Sequence, residues 1–377
     1  MDNTAVSVAS SIQVVRPDQS CVEIPATRHL MVQGNGMFPA LVRLQSGTLL
    51  GVVRGGAEHM GKEGRLDVVR SDDEGVSWSP PETILDSDED DRNPVLCQLA
   101  DGTLVLAYSR CWTVGYGVDA KHPEAIDKHE TFATRSTDEG RTWEEPQRVP
   151  VPPGFAATGS PGGGHKGIQL ADGTALFTGG VRRTLEVPIY GYPGIFRSTD
   201  GGRSWGDFSA FDLGLCDEEV ALLELSSGRL LAALRGGGAQ LGGAALWLSE
   251  SDDGGRTWSR PARKITGEDH HPADLLLLSD GSVLLSFGNR NPPCGVRALV
   301  SRDQGQSWDH HHSIVLADNC AGRDCGYPTT LHLAAGYLLT VYYRTRSAAP
   351  YFAGLGETIV AACVKYKEAD LLAALDA

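Results

Sequence analysis

Six glycines, Gly47, Gly102, Gly173, Gly228, Gly281 and Gly336, each stand in a short polar turn between two apolar runs, and polar residues recur at fixed distances from them. Nine residues before each glycine are Phe38, Asn93, Gly164, Glu219, Pro272 and Tyr327; ten before are Met37, Arg92, Gly163, Glu218, His271 and Gly326. Seven after are Arg54, Ser109, Gly180, Arg235, Gly288 and Tyr343; eight after are Gly55, Arg110, Val181, Gly236, Asn289 and Arg344. His165 and Arg290 fall near the same level. Strands rise about 3.3 Å per residue, so equal offsets from a turn mean nearly equal heights. Arginine, glutamate, tyrosine and histidine therefore collect at one end of the molecule, with almost no lysine among them. That is the composition of a cleft rather than of a solvated surface. Arginine suits fixed recognition of a carboxylate or sulfate, because its planar fork makes paired hydrogen bonds.

The elements that hold these residues are given by two repeats. The first is an apolar strand, a polar turn ending in glycine and a second apolar strand: LQSGTLLGVVR, LADGTLVLAYSR, LADGTALFTGG, LSSGRLLAALR, LSDGSVLLSFGNR and LAAGYLLTVYYR. The second is S-x-D-x-G-x-x-W, the Asp box, at Ser71–Trp78, Ser136–Trp143, Ser198–Trp205, Ser251–Trp258 and Ser301–Trp308. In such a corner Ser and Asp bond the local backbone, Gly takes φ > 0 and Trp covers the turn. Six hairpins and five corners predict an all-β chain, a six-bladed β-propeller with Asp-box repeats, forming one domain over residues 1–377. GETIVAACVKYK supplies one further strand, and Val6–Val15 is expected to supply the outer strand of the last blade, closing a ring whose edges would otherwise be unpaired. Residues 368–377 have helix-forming composition. A long insertion spans Cys111–Glu130, and the acids Asp86–Asp91 read as a solvated loop.

Composition excludes several functions. The net charge is −15 and the pI near 5.1, which opposes binding to nucleic acid. No apolar run approaches a membrane span, and the N-terminus does not read as a signal peptide, so the expected location is cytoplasmic. The eight cysteines contain no CxxC pair, no zinc framework is evident, and His310–His312 are expected on the outer surface; neither a metal nor a cofactor is expected. The cysteines read as buried free thiols, with Cys320 and Cys325, a six-residue span, as the one pair close enough in sequence to bond.

Asp boxes on a six-bladed propeller resemble the sialidase (neuraminidase) superfamily of BNR-repeat proteins over nearly the whole chain. Two segments carry the resemblance further. CGYPTTLHL is similar to the stretch bearing the family's tyrosine nucleophile, which implies that role for Tyr327. DEEVALLELSSGRLLAALR is similar to the stretch bearing its glutamate and one substrate-binding arginine, which implies those roles for Glu219 and Arg235, with Glu218 next to the former. A neutral phenol is a poor nucleophile until a carboxylate takes its proton, and tyrosine nucleophiles are a known exception to the two-carboxylate rule of glycosidases. The resemblance thus implies a retaining exo-glycosidase acting on a carbohydrate with a terminal acidic sugar, sialic acid or a related keto-deoxy or uronic sugar.

The chain also departs from the pattern. The first of the family's three arginines is replaced by Met37 in NGMFPAL, with Arg54 and Arg92 as candidate substitutes. The third is Arg290 or Arg297 in GNRNPPCGVRALVS. The aspartate acid/base has no counterpart, and the loop GGAEHMGKEG offers Glu58, His59 or Glu63 as proton donor. Asn93, His165, His271 and Tyr343 complete the expected lining. Two other classes fit the same residues: a hydrolase or lyase of other specificity with His165 or His271 as base, and a non-catalytic glycan-binding propeller, since fold does not give function.

Overall fold

The computed structural model describes residues 7–57, 59, 61, 63–111, 129–161, 165–183, 192–211, 219–236, 244–259, 263–344 and 359–377. Most of the insertion expected at Cys111–Glu130 lies outside them. Apolar runs bounded by turn glycines form strands buried on both faces. The N-terminal pair is β1 (Ser7–Val15) and β2 (Cys21–Gln33). A four-stranded sheet follows in sequence order: β3 (Met37–Arg43), β4 (Leu49–Gly55), β5 (Arg65–Ser71) and β6 (Glu82–Leu85). The second is β7 (Asp90–Gln98), β8 (Leu104–Cys111), β9 (His129–Ser136) and β10 (Gln147–Arg148). The third holds β11 (Ala157–Pro161), β12 (Ile168–Gln169), β13 (Ala175–Arg182), β14 (Tyr192–Ser198) and β15 (Gly206–Ala210), with both β11 and β12 paired to β13. The fourth is β16 (Val220–Glu224), β17 (Leu230–Gly236), β18 (Ala245–Ser251) and β19 (Arg263–Lys264).

The remaining strands are β20 (His270–Leu277), β21 (Val283–Asn289), β22 (Cys294–Ser301), β23 (Ser313–Cys320), β24 (Cys325–His332), β25 (Tyr337–Arg344) and β26 (Val360–Lys367), before helix α1 (Glu368–Asp376). With the N-terminal pair they make one nine-stranded sheet, ordered β20-β21-β22-β23-β1-β2-β26-β25-β24. The strand beside β26 is therefore β2, not the Val6–Val15 segment expected there. That segment, as β1, sits one place further out and bridges β2 to β23. β2 contains Pro25, which has no backbone N–H to donate across a sheet. It is tolerated because the β26 pairing begins only at Ala26, so at Pro25 the strand has a neighbour on one side alone.

Apolar layers lie between successive strand sets. Ala40, Val52 and Val68 of the first sheet pack on Leu96, Leu106 and Tyr108 of the second. The series continues until Leu339, Val341 and Ala361 pack back on Leu41, Val53 and Val69 of the first sheet. The innermost strands follow the same circuit: β3 touches β7 and β24, β7 touches β11, β13 touches β16, β16 touches β20 and β20 touches β24. The result is a propeller-like all-β fold. Near its centre Lys166 forms an ion pair with Asp274 at 2.7 Å and donates to the Thr330 carbonyl at 2.8 Å.

The five S-x-D-x-G-x-x-W corners share one set of bonds. Each Ser hydroxyl donates to its Asp at 2.7–2.8 Å and accepts from the Gly amide, while the Asp accepts from the amide four residues on. Among the described residues no helix is long and apolar enough to cross a membrane.

Candidate active site

The first strand of several hairpins carries an extra residue at one height. Pairing runs Met37↔Arg54 then Ala40↔Val52, Arg92↔Ser109 then Val95↔Ala107, and Gly326↔Tyr343 then Thr329↔Val341. β11 and β20 show the same slip. In each case one strand advances three residues while its partner advances two. This is a β-bulge, which bends a strand and re-aims its side chains. At three of these bulges Phe38, Asn93 and Tyr327 adopt φ of 51°, 52° and 50°, each followed by proline, and His165 of the third sheet has φ of 50°. A left-handed backbone costs a non-glycine residue about 1–2 kcal/mol, and such positions cluster at functional sites.

The bulges bring Tyr327 against Glu219. The phenol donates a short hydrogen bond to Glu219 Oε1, and Arg235 Nη1 donates to Oε2 at 2.8 Å. Arg290 lies over the Tyr327 ring with its guanidinium carbon 5.9 Å from the centroid, and its Nε and Nη2 are buried without a protein hydrogen bond. Burial pushes the Glu219 carboxyl up. Arg235, His271, the Tyr327 hydrogen bond and Arg290 together outweigh burial and hold it at about 2. Burial, then the Glu219 charge, push the Tyr327 phenol well above its usual value. At rest the proton belongs to the phenol and the negative charge to the carboxylate.

Two histidines flank this pair as neutral imidazoles near neutral pH. His165 is fully buried, 5.3 Å from the Tyr327 ring between centroids, and burial brings it down to about 4. Its Nδ1 donates to the Pro94 carbonyl at 2.8 Å, which leaves Nε2 as a buried acceptor. His271 is brought down to about 2 by burial, then by Arg235 and Arg290. On the other side, Asp324 Oδ1 accepts from the Tyr343 hydroxyl at 2.5 Å and pairs with His59 Nδ1 at 2.9 Å. Phe38 packs edge-on against His59, Tyr327 and Tyr343, at centroid separations of 5.1, 4.9 and 5.3 Å.

Of the residues singled out by sequence, Tyr327, Glu219, Arg235, Arg290, His165, His271, Tyr343 and His59 gather here. Arg54, Arg92 and Asn93 form an adjoining set. Arg54 is wholly buried and donates to Asp90 at 2.8 Å and to the Ala57 and Gly61 carbonyls. Arg92 lies 3.6 Å from the same carboxylate and over the Phe38 ring, and Asn93 donates to Ser160. Asp90 and Asp91, expected in a solvated loop, are instead buried in β7, because Arg54 and Arg92 neutralise the first and Arg110 pairs with the second at 3.2 Å. Arg297 stands one strand further out, opposite Phe287, and donates to the Ala317 and Pro293 carbonyls. Met37 is buried in an apolar cluster with Phe38, Tyr327 and Tyr343. Glu63 is exposed. Glu58 and Glu218 lie outside the described residues.

Sequence reasoning missed Asp324, Asp90 and the packing role of Phe38. Asp324 is twelve residues before its turn glycine, beyond the offsets compared, and an acid three residues before Tyr327 was the available signal. Among the described residues no group of three or more His, Cys, Asp or Glu could hold a metal ion.

A family model described as a BNR repeat-like domain matches residues 47–339. Among solved structures, a protein of unknown function from Dyadobacter fermentans is similar at a TM-score of 0.72 and 22% identity, over 95% of this chain and 99% of that one. The NanB sialidase of Streptococcus pneumoniae, as its K499G mutant, is similar at 0.65 and 14%, over 90% and 70%. An alpha-L-arabinanase of Penicillium chrysogenum is similar at 0.59 and 14%, over 94% and 98%. No curated protein matches the chain. At these identities the structural likenesses establish a common fold and carry no residue roles.

Proposed function

The chain belongs to the BNR repeat-like domain family, and from that premise we propose that it is a sialidase-like exo-glycoside hydrolase that removes a terminal acidic sugar, sialic acid or a related keto-deoxy or uronic sugar, with retention of configuration. In this reading the nine-stranded sheet is two blades joined edge to edge through β1, and residues 1–377 are one six-bladed propeller. The neighbours include a sialidase and an arabinanase, so fold leaves the sugar open. The arginines favour an acidic one.

The observation that carries the proposal is the hydrogen bond from Tyr327 to Glu219, with Arg235 on the far carboxylate oxygen. Tyr327 attacks the anomeric carbon while Glu219 takes its proton, giving a glycosyl-tyrosine that water then hydrolyses. A phenol brings no second negative charge against an anionic sugar. Arg290, with two buried donors and no protein acceptor for them, is the first grip on the sugar's acidic group, and Arg235 the second. An anion bound there offsets the field that holds Glu219 at about 2 and makes it a better base when substrate is present. Met37 stands where a third arginine would, and Arg54 and Arg92 are engaged by Asp90. Two arginines therefore do the work of three, beside an apolar wall of Met37 and Phe38.

A panel of aryl glycosides (sialic acid, keto-deoxy sugars, glucuronide, rhamnoside, arabinofuranoside) tests this, with wild type, Tyr327→Phe and Glu219→Gln assayed together. The expected result is turnover of one acidic glycoside, reduced about 10³-fold or more in both variants. Turnover that survives in Tyr327→Phe, or a preference for a neutral sugar, refutes it.

A further inference from the structure

The proposed reaction needs a group that protonates the leaving oxygen, and the chain has no aspartate where the resemblance implies one. We propose, resting on the hydrolase reading above, that His59 is this acid and, in the second half of the reaction, the base, with Asp324 as its positioning residue. His59 comes from the loop between β4 and β5, Asp324 from the turn before β24, and they meet at 2.9 Å. The same Asp324 oxygen accepts from Tyr343 on β25, so the carboxylate is fixed before it orients the imidazole. With Nδ1 donating to Asp324, Nε2 is the nitrogen that exchanges a proton. Phe38 packs edge-on against both His59 and Tyr327, so donor and nucleophile share one wall of the cleft.

The atoms balance. As the Tyr327 oxygen bonds the anomeric carbon and its proton passes to Glu219, the glycosidic C–O bond breaks and the leaving oxygen takes the proton from His59 Nε2. Water then attacks the anomeric carbon, its proton passes to neutral His59, the bond to Tyr327 breaks and Glu219 returns the proton to the phenol.

The charged groups facing His59 are Asp324, Arg92 of β7 and Arg290 beyond β21, with Tyr343 acting through Asp324. Burial lowers the imidazole most, the Asp324 hydrogen bond raises it, and the two arginines lower it. The acid form is required, so kcat/KM falls as pH rises through the His59 pKa. Removing the Asp324 charge lowers that pKa and moves the alkaline limb to lower pH.

The test uses two glycosides of whichever sugar the wild type hydrolyses, one with a 4-nitrophenyl and one with an alkyl leaving group, assayed with wild type, His59→Gln, Glu58→Gln and Asp324→Asn. His59→Gln is expected to lose about 10²–10⁴-fold in kcat/KM on the alkyl glycoside and less than about 10-fold in kcat/KM on the nitrophenyl one, which needs little protonation in the first half of the reaction and also reports that the variant is folded. Asp324→Asn is expected to shift the alkaline limb acidward by about one pH unit or more. Equal losses in kcat/KM on both substrates, or the leaving-group dependence appearing in Glu58→Gln instead, overturn the assignment to His59. A wild type that hydrolyses none of the panel overturns the hydrolase reading itself, and the assignment with it.

Discussion

Glu219 is a buried carboxylate held more acidic than in water, and a general base needs the opposite. Arg235 is the largest of the influences that lower it, ahead of His271, the Tyr327 hydrogen bond and Arg290. Replacing Arg235 with methionine removes that influence while burial, which raises a carboxyl, stays. In the proposed mechanism Glu219 must be ionised to accept the Tyr327 proton, so activity is expected to fall as pH drops through its pKa. In Arg235→Met the acidic limb of the kcat/KM profile is expected about 1–3 pH units higher than in wild type, and an unchanged limb would show that Arg235 does not control this carboxylate. The depressed pKa is also a stability term. It contributes fully above the ordinary value of 4.5 and is lost as pH falls towards about 2. Tyr327, Glu219 and Arg235 were legible in the sequence because each sits at a fixed offset from a turn glycine. The fate of Arg54 was not, because its partner Asp90 lies in the next sheet and pairing across sheets leaves no mark on spacing.

The repeated bulge explains why simple counting reached the cleft. Strict alternation would flip every face with a one-residue slip, but the extra residue recurs within one position of the same offset from the turn glycine in β3, β7, β20 and β24. Offsets therefore stayed comparable in these strands, whereas in the third sheet the slip in β11 falls further from Gly173 and the counted positions Gly163 and Gly164 lie outside the described residues. The corners were legible for a related reason, since all their bonds are local. Two glycines set the seat of Tyr327. A Cβ on Gly326, at φ +102°, would lie 2.6 Å from the Gly288 Cα, so β24 and β21 touch at backbone distance there. Gly326→Ala is expected to destabilise the fold by about 1–3 kcal/mol and to cut turnover by moving Tyr327. Gly228→Ala, at φ +82° in an open turn, provides the control, expected to lower the unfolding midpoint but leave kcat near wild type. Equal kinetic effects from the two would remove the link between this contact and the site.

For the molecule as a whole, composition and repeats made the all-β class and the propeller-like architecture readable, while the exchange of β1 and β2 was not, because which of the two borders β26 is decided by long-range pairing that leaves no mark on local spacing. The net charge of −15 misleads. It is a sum over the whole chain, whereas the site holds Arg235 and Arg290 beside Glu219 and Asp324. Local charge decides what a cleft binds even when the global field opposes it. In the proposed mechanism Tyr327 becomes glycosylated. The most direct measurement is to incubate the protein with an activated, ring-fluorinated analogue of the sugar it hydrolyses, then map the modified peptide by mass spectrometry. The prediction is a sugar adduct on Tyr327 that is absent from Tyr327→Phe. An adduct on Glu219 or another carboxylate, or no adduct together with an inverted first product, would contradict it.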